Sequence, residues 1–265
     1  MKRFLTAWAV LSALAAPHPA PSGADEPPRR HSVLEMTKAL EKYSKDANPE
    51  MRILAVQMMG EVGGAAASKT LRKLFRKEKD NSVRRAILVQ LAGVLPDGKG
   101  TLYFFCQAAR RDPDPETRFI ALNEASLLPR PGDRGTRELR LTAYKIMKNG
   151  EGGANRVLAA VILRELGEEG REISKLVLDG LSSPAAETRR RAASVLDPVE
   201  GQDELLKVAR AARDAELDVR ANLCLRLGKI RDKATVPVLK ILLEDPDLGV
   251  RRDAQAALAS FENNP

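Results

Sequence analysis

Several stretches of this sequence bring together residue types that could do chemistry. Gly93, Gly98 and Lys99 are spaced as in a phosphate-binding loop, with Gly100 where such a loop carries a hydroxyl residue. A loop of that kind follows a strand and opens a helix, so that backbone N–H groups converge on the phosphate. The residues before Gly93, VRRAILVQLAG, have a helical pattern instead, which favours a Gly-rich link between helices. Asp112, Asp114 and Glu116 alternate with prolines and could offer oxygens to calcium, but they lack the glycine and regular ligand spacing of a calcium loop. Helix capping is expected of them.

Nucleophilic chemistry has equally little to draw on. His31 adjoins Ser32 near the chain start, where neither a Ser-His nor a Cys-His pair has an evident geometry. Cys106 and Cys224 lie in the apolar contexts LYFFCQAA and RANLCLRL, so both are expected as buried thiols, too many repeats apart for a disulfide. Arg84-Arg85, Arg110-Arg111, Arg189-Arg190-Arg191 and Arg251-Arg252 could form steps of a basic stripe on nucleic acid. The expectation is no catalytic residue, no metal and no cofactor.

Composition agrees. Of 265 residues, 43% are apolar and 30% charged, which excludes disorder throughout, whereas aromatics are 4% and there are only two His and two Cys. The formal charge is +8, enough to permit an anionic partner. Residues 1–24 carry Lys2 and Arg3, then an uncharged run from Phe4 to Ala16, the pattern of a secretory leader. That run of 13 residues is shorter than the roughly 20 a membrane-spanning helix needs, so a cleaved signal peptide and an exported, periplasmic or extracellular protein are expected. Without the leader the excess of basic over acidic residues falls to six, and Trp8 is lost. A short disordered linker, 25–31, would then precede a repeat region, 32–261, and a tail, 262–265.

The elements that must position these residues recur. Arg52, Arg84, Arg118, Arg156, Arg189, Arg220 and Arg251 follow one another at intervals of 31 to 38 residues, the length of a helix-turn-helix repeat. Three residues after each come Ala55, Ile87, Ala121, Ala159, Ala192, Leu223 and Ala254, and seven after come Met59, Leu91, Ala125, Leu163, Leu196, Leu227 and Leu258. That spacing marks one face of a helix. A second amphipathic stretch precedes each arginine, as Val33, Met36, Leu40 and Tyr43 do in the first repeat. Ser32 and Glu35 read as a capping box, Pro49, Pro115, Pro184 and Pro246 as turns within pairs, and Gly60, Gly93, Gly167 and Gly228 as ends of second helices. The irregular joints are Arg130 to Gly135 and Asp197-Pro198.

The segment ATVPVLKILLEDPDLGVRRDAQAAL, residues 234–258, resembles a HEAT repeat of the short kind also found in phycobilin lyase-like proteins, and weaker copies extend over 32–261. The resemblance implies an all-α fold, an α-solenoid (α-α superhelix) of about seven HEAT-like helix pairs. It also implies a structural ladder of inner-turn acids with arginines six residues on: Asp46 with Arg52, Glu78 with Arg84, Asp112 with Arg118, Asp214 with Arg220 and Asp245 with Arg251, broken at Gly150 and Ser183 before Arg156 and Arg189. HEAT-type hydroxylases hold metal on His-Glu motifs, which this chain lacks. HEAT-like DNA glycosylases bind duplexes, but the modest charge, the missing Trp and the leader argue against nucleic acid.

Solenoids bind along the concave face lined by second helices. Arg85, Gln90, Asn123, Glu124, Arg190, Arg226 and Arg252 are the candidate row there, and its mixed polarity suits a protein or peptide partner. The run ANRVLAAVILRELG is apolar almost all round, so Val157, Val161 and Ile162 are either packed between neighbours or part of a docking groove. One of Tyr103, Phe104 and Phe105 must leave the core. The function these features imply is a non-catalytic scaffold or adaptor in the cell envelope. The alternatives are a lyase-like accessory that holds a client for an enzyme, and a polyanion-binding module using the arginines.

Overall fold

A computed structural model describes residues 32–94, 99–129, 132–149 and 153–262. Residues 1–31, over which a leader and a linker with His31 are expected, the centre of the Gly93–Thr101 run, Gly150 and residues 263–265 lie outside them. Among the described residues there are fourteen α-helices and no strand. In chain order they are α1 Val33–Tyr43, α2 Pro49–Val62, α3 Gly64–Phe75, α4 Asn81–Gly93, α5 Lys99–Arg111, α6 Pro115–Leu127, α7 Gly132–Asn149, α8 Gly153–Glu165, α9 Arg171–Gly180, α10 Ala186–Ser194, α11 Gln202–Ala211, α12 Leu217–Ile230, α13 Val236–Leu242 and α14 Leu248–Glu262. Odd-numbered helices open a repeat and even-numbered helices close it.

The chain forms two compact units, residues 1–135 and 136–265. In the first, α2 packs on α4 and α4 on α6, while α1 packs on α3. In the second, α8, α10, α12 and α14 pack in succession, and α9, α11 and α13 form the other layer. Within each unit the helices hide apolar stripes against a pair partner, a helix of the adjoining repeat, or both. No described helix is long and apolar enough to cross a membrane.

Local signals start the helices as expected. Ser32 Oγ accepts from Glu35 N–H at 3.3 Å and the Glu35 carboxylate accepts from Ser32 N–H at 2.8 Å, completing the capping box. Pro49 and Pro115 sit in the first turns of α2 and α6, where Asn48 and Asp114 cap. The residues three along from each repeating arginine are all buried, and so are those seven along except Leu258, half-buried in the last described helix. Cys106 and Cys224 are buried and unbridged, and burial raises the Cys224 thiol to about 12.

The glycines depart from expectation. Gly167 has φ +81° and does close its helix, but Gly60 and Gly228 lie inside α2 and α12, which end instead on Gly63 at φ +68° and on Arg231 at φ +50°. Gly93 is the last residue of α4, and its φ is not positive. Gly60 and Gly228 serve close approach: a Cβ on Gly60 would collide with the Gln90 side chain, and one on Gly228 would lie 3.0 Å from Ala257 Cβ. Both occupy the eighth position after the repeating arginine, where second helices cross.

The all-round apolar helix is α8, and its surroundings explain it. Leu158 through Leu163 are buried without interruption. Gly180 of α9 approaches so closely that a Cβ there would stand 2.9 Å from Ala192 Cβ and 3.2 Å from Val157 Cγ1.

Candidate functional site

The geometry of the repeating arginines corrects the ladder. Five of the seven send Nη1 to backbone carbonyls six and five residues earlier: Arg52 to Asp46 and Ala47, Arg118 to Asp112 and Pro113, Arg189 to Ser183 and Pro184, Arg220 to Asp214 and Ala215, Arg251 to Asp245 and Pro246, at 2.6–3.3 Å. Because that contact is to backbone, the side chain six residues earlier does not matter to it. The acid itself pairs with the arginine of the preceding repeat. Arg52 donates to Glu78 at 2.9 and 3.0 Å, Arg189 to Asp214 at 2.6 and 3.0 Å, and Arg220 to Asp245 at 2.7 and 3.1 Å, each through a planar fork, and Arg84 pairs with Asp112.

The same carboxylates hold their own turns by accepting the N–H two residues on: Asp80 N–H donates to Glu78, Asp114 N–H to Asp112, Glu216 N–H to Asp214 and Asp247 N–H to Asp245, at 2.9–3.0 Å. Asp46 accepts from Asn48 N–H in the same way. Ser183 therefore does not weaken Arg189. The repeat that lacks a carboxylate there is joined by other pairs: buried Arg191 is bidentate to Glu165 at 2.8 and 2.6 Å, Arg164 pairs with Asp197, and Arg156 donates to the Met147 carbonyl and to Glu172.

Burial pushes the Asp245 carboxyl up, but the Arg220 fork, the Asp247 N–H and the charges of Arg220 and Arg251 outweigh it and hold it below the usual carboxylate range. Asp214 is lowered against the same burial by Arg189, the Glu216 N–H and Arg220, and Glu78 by Arg52 and the N–H groups of Asp80 and Lys79. A carboxyl with a depressed folded pKa contributes stability above its unfolded value, which is lost as pH falls through the folded value. We therefore expect the thermal midpoint to hold from pH 7 down to about 5 and to fall steadily below about pH 4. Thermal melts followed by circular dichroism across pH 3–7 check this, and a midpoint that rises on acidification would contradict it.

Most of the candidate contact row is engaged within the protein. Arg85 pairs with Glu116 and lies 3.6 Å from Asp114; Arg190 is bidentate to Glu187; Arg226, half-buried, donates to the Leu196 carbonyl at 2.5 Å. Burial lowers the Arg226 guanidinium pKa, with Asp197 opposing and Arg164 reinforcing. Gln90 lies over Gly60. Asn123 and Glu124 are half-buried, and burial raises the Glu124 carboxyl against a hydrogen bond to Asn123. Val161 and Ile162 are fully buried and Val157 half-buried, so among the described residues these side chains are packed between neighbours rather than open to a partner. Arg252 is exposed and forms no ion pair among the described residues.

The acids of the calcium-like turn have structural partners. Asp112 meets Arg84, Asp114 accepts from Thr117 N–H at 2.9 Å and from its hydroxyl at 2.6 Å, and Glu116 meets Arg85. The segment before Gly93 is helix α4, as expected of a link between repeats. Of the three adjacent aromatics, Phe105 is buried, Phe104 half-buried and Tyr103 exposed. Spacing alone did not assemble Tyr103 with Arg76 and Arg111 on a single surface. The visible traces of that surface were the aromatic triplet and the Arg110-Arg111 pair.

Paired helices whose turns are tied by arginine forks define an α-solenoid of helix-pair repeats. The HEAT-repeat pattern matches residues 36–127 and 174–259, more than half the chain, and the protein belongs to the HEAT-repeat family. Two solved structures are similar in chain course. Human deoxyhypusine hydroxylase in complex with glycerol is 18% identical, with a TM-score of 0.38 over 98% of this chain and 97% of that one. An engineered protein is 17% identical, with a TM-score of 0.41 over 86% of this chain and 96% of that one. Likenesses this remote do not bear on function. No curated protein matches the chain.

Proposed function

We propose that this protein is a non-catalytic scaffold of the cell envelope that holds a protein or peptide partner. The observation that carries the reading is the assignment of its reactive side chains. The recurring acids and arginines join repeat to repeat, and Cys224 is a buried thiol of raised pKa, so the groups that could do chemistry serve the fold. What the repeats present outward is contact surface, the property through which solenoids act. The envelope setting rests on the leader pattern of residues 1–24.

The test is affinity capture by the purified protein from an envelope extract in about 0.1 M and about 0.5 M salt. We expect a defined protein that stays bound at both. Recovery only of nucleic acid or other polyanion, lost at the higher salt, would overturn the reading. So would turnover of a bound substrate that stops when one side chain is replaced.

A further inference from the structure

Eight aromatic residues follow position 31, and three of them, Phe75, Tyr103 and Phe104, line one groove between α3 and α5. The two helices meet there through side chains. Arg72 donates to the Thr101 hydroxyl at 2.6 Å, and Phe75 meets Phe104 edge-on, with centroids 5.3 Å apart. Buried Phe105 braces Phe104 from behind at 6.0 Å, and the Arg84 guanidinium lies 5.0 Å over the Phe75 ring. These contacts form the floor of the groove. Tyr103 stands above it, 54% exposed. The groove measures about 580 Å³, room for a short peptide stretch with one large side chain.

Its charge is one-sided. The two carboxylates that line it are already engaged, Glu78 by Arg52 and Asp112 by Arg84. Arg76 caps the C-terminus of α3 and Arg111 ends α5; both are exposed, and neither forms an ion pair among the described residues. The helix macrodipole favours cations at those ends, so the fold tolerates both guanidinium groups without a carboxylate partner. The lining of the comparable groove between α11 and α13 includes Arg213, Lys240, Ile241 and Glu244; it has no aromatic, and Glu244 forms no ion pair among the described residues.

We propose that the α3–α5 groove binds an acidic peptide segment of a partner protein. Carboxylates of the peptide sit on Arg76 and Arg111, and an aromatic or aliphatic side chain packs against Tyr103 and Phe104. Arg forks match carboxylates in two-point geometry, and Arg and Tyr are the residue types on which interfaces concentrate their energy. The proposal refines the scaffold reading by naming a partner chemistry and a site on the first helices, away from the row of second helices.

The test is fluorescence anisotropy of the whole protein with a fluorescein-labelled peptide of repeated Asp-Glu-Phe. The controls are the same peptide with Lys for its acids and a labelled oligothymidylate. We expect the acidic peptide to bind, the Arg76→Glu, Arg111→Glu double variant to weaken it at least tenfold, and Tyr103→Ala to weaken it several-fold; the Tyr103→Ala midpoint should be unchanged and that of the double variant only slightly lowered, because the three side chains are exposed and the double variant loses two favourable helix-end charges. Equal binding by the double variant would overturn the proposal, as would no preference over the Lys peptide or equal displacement by oligothymidylate. Binding that instead falls with Arg252→Glu would sink this groove yet leave the scaffold reading standing. That reading fails separately if the envelope capture yields no protein.

Discussion

Asp245→Ala is expected to destabilise the second unit by about 3–5 kcal/mol, the usual effect of removing one partner of a buried ion pair. The Asp245 side chain is 2% exposed and that of Arg220 10% exposed. Without the carboxylate, Arg220 keeps the carbonyls of Asp214 and Ala215 but remains a buried cation with its charge uncompensated, and the Asp247 N–H loses its acceptor. Replacing both partners by Leu should cost less than Asp245→Ala alone, because no lone charge is then left buried. Glu172→Ala provides the contrast: its pair with Arg156 is about half exposed, and its loss should cost at most about 1 kcal/mol. Urea unfolding of the four proteins decides the matter. Equal midpoints for Asp245→Ala and Glu172→Ala would show that the ladder does not hold the repeats together.

Ile162→Ala should cost about 2–5 kcal/mol, the range for emptying a buried aliphatic site. Ile162 is fully buried in α8, with Val161 and Leu163 buried on either side of it. A stretch in which Leu158 through Leu163 are all buried has little room to collapse around the void, which favours the upper part of that range. The measurement also separates two roles for this helix. A core residue loses stability, whereas a docking residue keeps its unfolding midpoint and loses partner binding. The second outcome would mean that α8 is uncovered in solution.

The repeat was legible because it is local. Arginines at intervals of 31 to 38 residues, with apolar residues three and seven along, predict helix pairs, and those positions are buried in every repeat but for Leu258. The caps at Ser32 and Asp114 were equally readable, since a cap joins residues two or three apart. The roles of Gly60 and Gly228 were not. A glycine that ends a helix and one that admits a neighbouring helix are the same letter, and the difference lies in Gln90 and Ala257, some 30 residues away.

The ladder marks the division most clearly. An acid six residues before an arginine is a property of the chain, but the carboxylate that Arg220 grips belongs to the next repeat, 25 residues on. By itself the sequence determined the class of fold and the length of its unit, because helical periodicity and capping act over a few residues. Only the tertiary structure decided which arginines were already neutralised, that α8 was closed, and that Tyr103, Arg76 and Arg111 shared one open groove. Burial and charge pairing are settled between repeats, at distances set by how the helices stack, and a linear spacing does not record those distances.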